Sequence, residues 1–360
     1  MSGGEIRVDI SRSLSAAEAG EAAAFLEASP AASHLQRPDW PDYLDPAPRH
    51  RYLVLRARAG GALVGLALAR LGRLAPGFHL AVLRRGPVTH AAADLARVVP
   101  AMAQALRREG VCSLVVNPRW QEAEAEAATA LLAGLGAQEL PRAGQSMHRA
   151  TLLVDLSGTP EALTARLKPR CRRQINRAAA LGLEVRPAAS LDEVLAFEPV
   201  FRDFHRRRGL GTEAIPPPAQ QWVLTRDRGA LLLGYYRGRP VCGHGMLADG
   251  PRATWLSLAS AEGLHDLPHD YALIWQALLA AQAQGLRWFD MAGAPSRRDA
   301  DPAGPDRGQM NRQQFKTAFA PAHVELVPMM ALGLRQPAHG LLFGLRQHYR
   351  GWKAGRRPQP

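Results

Sequence analysis

Apolar and polar positions alternate along the chain in two stretches that share one order. Residues 52–58 and 62–71 read as strands around Ala59-Gly60-Gly61, a hairpin signal. Residues 78–83 predict a further strand closing on Gly86-Pro87. Within 91–109, Leu95, Val98, Val99, Met102 and Leu106 recur at helical spacing. Pro100 is expected to kink that helix and Gly110 to stop it. A buried strand over 111–116 and an Ala/Glu-rich helix over 121–135 complete the first stretch, preceded by an Ala-rich helix over 14–28 and a Pro-rich loop from Pro38. The order returns about 175 residues later. Strands over 230–236 and 241–248 flank Arg237-Gly238-Arg239-Pro240, and a strand over 253–259 follows. A helix over 271–284 then ends at Gly285, before a strand over 286–291. Duplication of one α/β unit is the economical reading; the alternative is two unrelated α/β domains that share a common order.

A chain of 360 residues is too long for one ordinary core. The expected fold class is α/β (α+β), with domains over 1–150 and 151–330 and a basic C-terminal helix or tail over 331–360. The join carries the densest charge. Thr159-Pro160-Glu161 caps a connecting helix over 160–181 that Pro169 interrupts. Arg170, Arg173 and Arg177 share one of its faces, and Arg166 joins them only if the helix is continuous. Such a stripe is either a solvated face or a holder of phosphates. The Asp/Pro/Gly-rich run 299–308 predicts a mobile loop.

Composition sharpens this. Hydrophobic residues make up 47% and charged residues 21%, as in a globular protein. A net charge of +13 favours an anionic partner: nucleic acid, a phosphate-bearing substrate or an acidic membrane face. Cys112, Cys171 and Cys242 are odd in number and form no C-x-x-C pair, so no disulfide framework or metal site is expected and a cytoplasmic setting fits. Met1 to Ile10 has no apolar core of a signal peptide. The tail intersperses Leu and Phe with Arg, His and Lys, which suits either packing on the domain or peripheral contact with the inner membrane face.

One residue stands apart in an Arg-rich chain. Lys316 is one of three lysines, with Lys168 and Lys353, and lies in Phe315-Lys316-Thr317-Ala318-Phe319. Arg is a planar fork and Lys a compact point charge. A site that places one positive charge on one oxygen favours Lys; the alternative is an ordinary surface lysine.

Six stretches in order carry a resemblance. They are the strand 151–156; Leu167-Lys168-Pro169-Arg170-Cys171-Arg172-Arg173-Gln174-Ile175-Asn176-Arg177-Ala178; Gly182-Leu183-Glu184-Val185; Arg207-Arg208-Gly209-Leu210; Phe289-Asp290-Met291-Ala292-Gly293; and Phe315-Lys316-Thr317-Ala318-Phe319-Ala320. Over about residues 50–328 the chain resembles the Fem-type peptidyltransferases, a branch of the GNAT (N-acetyltransferase-like) superfamily. The resemblance implies two tandem GNAT-like domains, mixed sheets flanked by helices. It also implies transfer of an amino acid from aminoacyl-tRNA to an amine of a peptidoglycan precursor. The family's Phe-Lys pair falls on Phe315 and Lys316. Its Arg-Asp-Gly-Phe motif falls on Arg207-Arg208-Gly209-Leu210 with the acid replaced, and its Phe-Gly on Phe319-Ala320, departures that bear on the substrate.

GNAT domains that use acyl-CoA carry a Gly-rich loop whose N–H groups cradle the pyrophosphate. The corresponding stretch here, 260–270, holds one Gly and three acids, and residues 86–90 also depart from that pattern. The donor expected is therefore aminoacyl-tRNA, with no cofactor and no metal, and the acceptor an anionic cell-wall precursor, handled by a monomer or weak homodimer. Two other readings remain: an acyl-CoA-dependent N-acyltransferase, and a non-catalytic RNA-binding scaffold. Attack of an amine on an activated ester needs mainly positioning and charge stabilisation. Lys316 is expected to stabilise the oxyanion or a donor phosphate, with Phe315 stacking on the donor. Asp290, His244 or His269 is expected to take the amine's proton, the alternative being a hydroxyl of the substrate. Arg170, Arg173 and Arg207 are expected to hold phosphates, and Tyr271 to line the substrate site.

Overall fold

The computed structural model describes residues 5–44, 51–209, 215–299 and 307–348. The first sheet begins with β1 (Ile6–Ser11), β2 (Arg51–Ala59), β3 (Ala62–Ala75), β4 (Phe78–Leu83) and β5 (Val111–Val116), with helix α1 (Ala16–Ala28) after β1 and α2 (Leu95–Arg108) before β5. Helix α3 (Glu122–Gly134) and a short edge strand β6 (Gln138–Glu139) follow. After β7 (Ala150–Asp155), helices α4 (Pro160–Arg166) and α5 (Pro169–Ala180) make the join. The second half repeats the plan: β8 (Glu184–Pro187), α6 (Leu191–Arg207), α7 (Pro218–Thr225), β9 (Gly229–Tyr236), β10 (Arg239–Asp249), β11 (Arg252–Ser260), α8 (His269–Ala283), β12 (Trp288–Asp290), α9 (Arg307–Thr317) and β13 (Ala322–Glu325), with β14 (Met330–Gly333) last.

The sheets run β1-β2-β3-β4-β5-β14-β6 and β13-β7-β12-β11-β10-β9-β8. β7 opens the second half and pairs antiparallel with both β12 and β13. β14 crosses back to pair antiparallel with both β5 and β6. The stretch expected to open a C-terminal helix at 331 is therefore a strand of the first sheet. A π-helical turn, His339–Phe343, comes after it.

Helices cover both faces of each sheet. On α2, Leu95, Val98, Val99, Met102 and Leu106 are all buried against the first sheet, each side chain worth about 2 kcal/mol of burial. The helix runs unbroken through Pro100, which the sequence marks as a kink; a short 3-10 turn at Ala92–Asp94 precedes it. The connecting helix, read as one element over 160–181, is two. α4 ends at Arg166 and α5 starts at Pro169, whose missing N–H is harmless in a first turn. Arg166 therefore leaves the face shared by Arg170, Arg173 and Arg177. A third apolar cluster joins the halves: Phe25, Trp40 and Leu66 of the first pack with Leu224 and Leu247 of the second. Residues 300–306 of the expected loop and 349–360 of the tail lie outside the described residues.

Candidate active site

The two sheets differ at their centres. In the first, β4 and β5 stay paired from His79↔Val111 to Leu83↔Val116. In the second, β11 and β12 pair only over Arg252↔Trp288, Ala253↔Phe289 and Thr254↔Asp290. There β12 ends while β11 continues to Ser260, so the sheet splits. One lip of the split is β11 from Trp255 onward. The other is Met291-Ala292-Gly293, which turns with φ of 54° at Ala292 and 26° at Gly293.

Lys316 bridges the lips. From the last turn of α9, its Nζ donates to the carbonyls of Ala292 (2.5 Å) and Gly293 (3.0 Å) and lies 5.6 Å from the centre of the Trp255 ring. Two of three ammonium hydrogens are used, leaving one for a further acceptor. Burial pushes the Lys316 pKa down to about 8, with Asp290 opposing and Arg312 reinforcing the shift.

Phe315 turns the other way, edge-on to Tyr271 (ring centres 4.9 Å apart) and to Phe319 (5.5 Å). It packs against the domain's own aromatic residues and stays half-buried. Tyr271 opens α8 and has Arg170 against its hydroxyl. Arg173 and Arg177 are exposed along the same face of α5. Arg207 is half engaged: Nε meets Asp203 Oδ2 at 2.6 Å and Nη2 donates to Ser260 O at 2.9 Å, where β11 ends. The structure therefore gathers Phe315, Tyr271 and Arg170, places Lys316 beside them, and sets Arg207 at the far end of β11.

Two expected proton acceptors are poorly suited to the role. Asp290 is buried and fully engaged. Its Oδ1 accepts from Thr151 Oγ1 and from Ala292 N (2.8 Å), and its Oδ2 from Arg119. Despite burial, Arg119 and Thr151 hold its carboxyl below the usual range. It fixes the turn that receives Lys316. His244 is entirely enclosed, edge-on to Trp255 (5.0 Å) and tilted over Phe289 (6.1 Å), with neither ring nitrogen hydrogen-bonded. Burial lowers its pKa to about 4, and none of its surface reaches solvent. His269 is tied to Leu267 O (2.8 Å) and Asp270 (3.0 Å).

A histidine that the sequence does not single out occupies the suitable place. His148 precedes β7 and lies over Gly293, where an added Cβ would come within 2.5–2.8 Å of its ring. Gly293 must be glycine for that reason as well as for its φ. The residue is exposed to solvent. Its pKa is lowered by surrounding protein, then by Arg85 and Lys316. Its carbonyl accepts from Arg85 Nη2 at 2.8 Å. Lys316 and His148 thus meet at Gly293, one a cation and the other a neutral base. No periodicity marks His148, and only its place in the folded chain identifies it.

Comparison with known proteins fits this geometry. Residues 165–300 match the family model described as an acetyltransferase (GNAT) domain, so the second half carries a domain of the acyltransferase class. No curated protein matches the chain in sequence. Among solved structures, a crystal structure of FemX superposes with a TM-score of 0.75 at 14% identity, over 92% of this chain and 99% of that one. The C-terminal domain of a putative lysylphosphatidylglycerol synthetase from Agrobacterium fabrum gives 0.58 at 13%, over 94% and 97%. A tandem GNAT protein from the clavulanic acid biosynthesis pathway gives 0.51 at 12%, over 92% and 99%. The fold is the tandem GNAT fold of the Fem-type proteins, as the order of motifs implies.

Proposed function

We propose that the protein is an aminoacyltransferase that moves an amino acid from aminoacyl-tRNA to the amine of an anionic peptidoglycan precursor. The observation that carries this reading is the pairing of Lys316 with His148 across Gly293 at the mouth of the split sheet. The acceptor amine attacks the ester carbonyl, and a C–N bond forms. The oxyanion takes the remaining N–H of Lys316. His148 accepts the amine's proton and returns it to the ribose oxygen as the C–O bond breaks, which leaves an amide and free tRNA. Arg170, Arg173 and Arg177, exposed beyond Tyr271, suit the phosphates of donor or acceptor. The choice of tRNA over acyl-CoA is supported at the start of α8. Asp270 stands in its first turn, where its carboxylate would repel a pyrophosphate on the helix N-terminus.

The test is single-turnover transfer from a pool of labelled aminoacyl-tRNAs to nucleotide-linked and lipid-linked muropeptides, with acetyl-CoA run in parallel. Label moving from tRNA supports the proposal. Transfer from acetyl-CoA alone would replace it with the acyl-CoA reading, which the matched family's description favours. Salt-sensitive RNA binding without turnover of either donor would favour the non-catalytic scaffold.

His148 is tested by pH. A base must be neutral, so the rate should rise as pH climbs through the lowered pKa of His148, below its ordinary 6.5. His148→Ala should cut transfer about 100-fold and flatten that acidic limb. A variant that keeps the limb would remove His148 from the mechanism.

A further inference from the structure

The last acidic residue of the chain is Glu325. Beyond it the sequence carries Arg335, Arg346, Arg350, Lys353, Arg356 and Arg357 with Phe343, Tyr349 and Trp352, and no Asp or Glu. The described part of this segment is anchored, and its anchoring sets its orientation. Phe343 is buried against Leu80, Val82, Val115 and Leu140 of the first half. His339 stacks on Phe343 with ring centres 5.1 Å apart, and its Nδ1 lies 2.8 Å from Ser113 Oγ. These contacts point Leu341 and Leu345 outward, 64% and 61% exposed. The spacing of four puts both on one side of the turn. Beside them lies a groove of about 910 Å³ lined by Pro76, Phe78, Pro337, Leu341 and Leu342. Its cationic edge is Arg107 and Arg335, with Arg335 Nη2 donating to Arg107 O at 2.5 Å.

We propose that this face docks peripherally on an anionic lipid bilayer, with Leu341 and Leu345 entering the headgroup boundary and Arg107 and Arg335 lying over the lipid phosphates. Exposed leucines beside a cationic edge are what an interfacial segment needs. Attraction of juxtamembrane cations to an acidic leaflet supplies the other half. Among the described residues no helix is long and apolar enough to cross a membrane, so the contact is peripheral. The proposal stands apart from the transfer chemistry, because none of these residues belongs to the split of the second sheet.

The experiment is co-sedimentation of the full chain with large vesicles of phosphatidylcholine, alone or mixed with phosphatidylglycerol. The expected result is binding to the mixed vesicles that weakens as salt is raised and is at least about tenfold weaker to phosphatidylcholine alone. Leu341→Asp/Leu345→Asp should weaken binding by about tenfold or more with an unchanged melting curve, since both side chains are exposed. Arg335→Gln should weaken it less. Equal binding to both vesicle types, no binding to either, or full binding by the double variant would overturn the proposal. A dimer by light scattering that the double variant dissolves, without vesicle binding, would assign the face to a second copy of the chain instead.

Discussion

Replacing Lys316 by alanine should lower single-turnover transfer by about 10²–10³, the range for removal of one oxyanion donor, or about 3–4 kcal/mol. The arrangement makes a sharper pair of predictions. Lys316→Arg should fail almost as badly, because the seat between two carbonyls and the Trp255 ring fits a compact ammonium and not a planar fork. Lys316→Met should abolish transfer and yet hold or raise the melting temperature at pH 7. The sign follows from the pKa, which falls to about 8 in the folded protein against about 10.4 unfolded. The unfolded chain binds the proton more tightly, so burying the ammonium costs stability below pH 8, and that cost is relieved as pH rises from about 8 to 10.4. Transfer runs the opposite way, since it needs the cation and should fall above pH 8. A Lys316→Ala enzyme within threefold of wild type would sink the oxyanion role. A variant that loses activity only by unfolding would show in the melting curve.

Much of the fold is legible in the sequence because its signals are local. The hairpin glycines, the helical spacing on α2 and the stops at Gly110 and Gly285 locate elements and show that their order repeats. What local patterns cannot carry is the return of β14 to the first sheet. It is a short apolar strand that would fit either sheet, and its partners are chosen by packing across the whole chain. Pro100 and Pro169 illustrate the same limit. Each marks a break, but α2 absorbs the first within its run, whereas the second starts a new helix.

The site divides in the same manner. Lys316 stands out by composition, since an ammonium in an Arg-rich chain is conspicuous. Asp290 stands out by motif, but its role depends on Arg119, 171 positions away in sequence. His244 reads from sequence as an available base, yet the alternation of β10 turns it inward. His148 sits in an irregular connection without periodicity, and only the pairing of β7 with β12 carries it over Gly293.

Arg119→Ala should be the most destabilising single change at the join of the two halves. Arg119 is buried, donating to Ala32 O (3.2 Å), Asp249 Oδ2 (3.4 Å), Thr254 Oγ1 (3.2 Å) and Asp290. Asp249 also takes His34 at 3.0 Å. Removing one partner of a buried pair costs about 3–5 kcal/mol. The lower end, about 3 kcal/mol, applies here because buried Arg85 and Arg252 still act on Asp290. The loss should depend on pH. In wild type both carboxyls lie below their ordinary range, so their stabilisation is complete above the unfolded value of about 3.9 and disappears as pH falls through the folded values. In the variant the charges are undercompensated, and protonation relieves them. The gap between wild type and Arg119→Ala should therefore narrow from pH 7 toward pH 4. Urea unfolding at the two pH values reads this directly. Arg119→Met with Asp249→Asn and Asp290→Asn should recover much of the stability, because polar groups that lose their charge together cost less than one left unpaired. It should not recover transfer in full, because the Asp290 carboxylate that favours the charged form of Lys316 is gone. A pH-independent difference below about 1 kcal/mol would mean that Arg119 fills space between the halves without binding them.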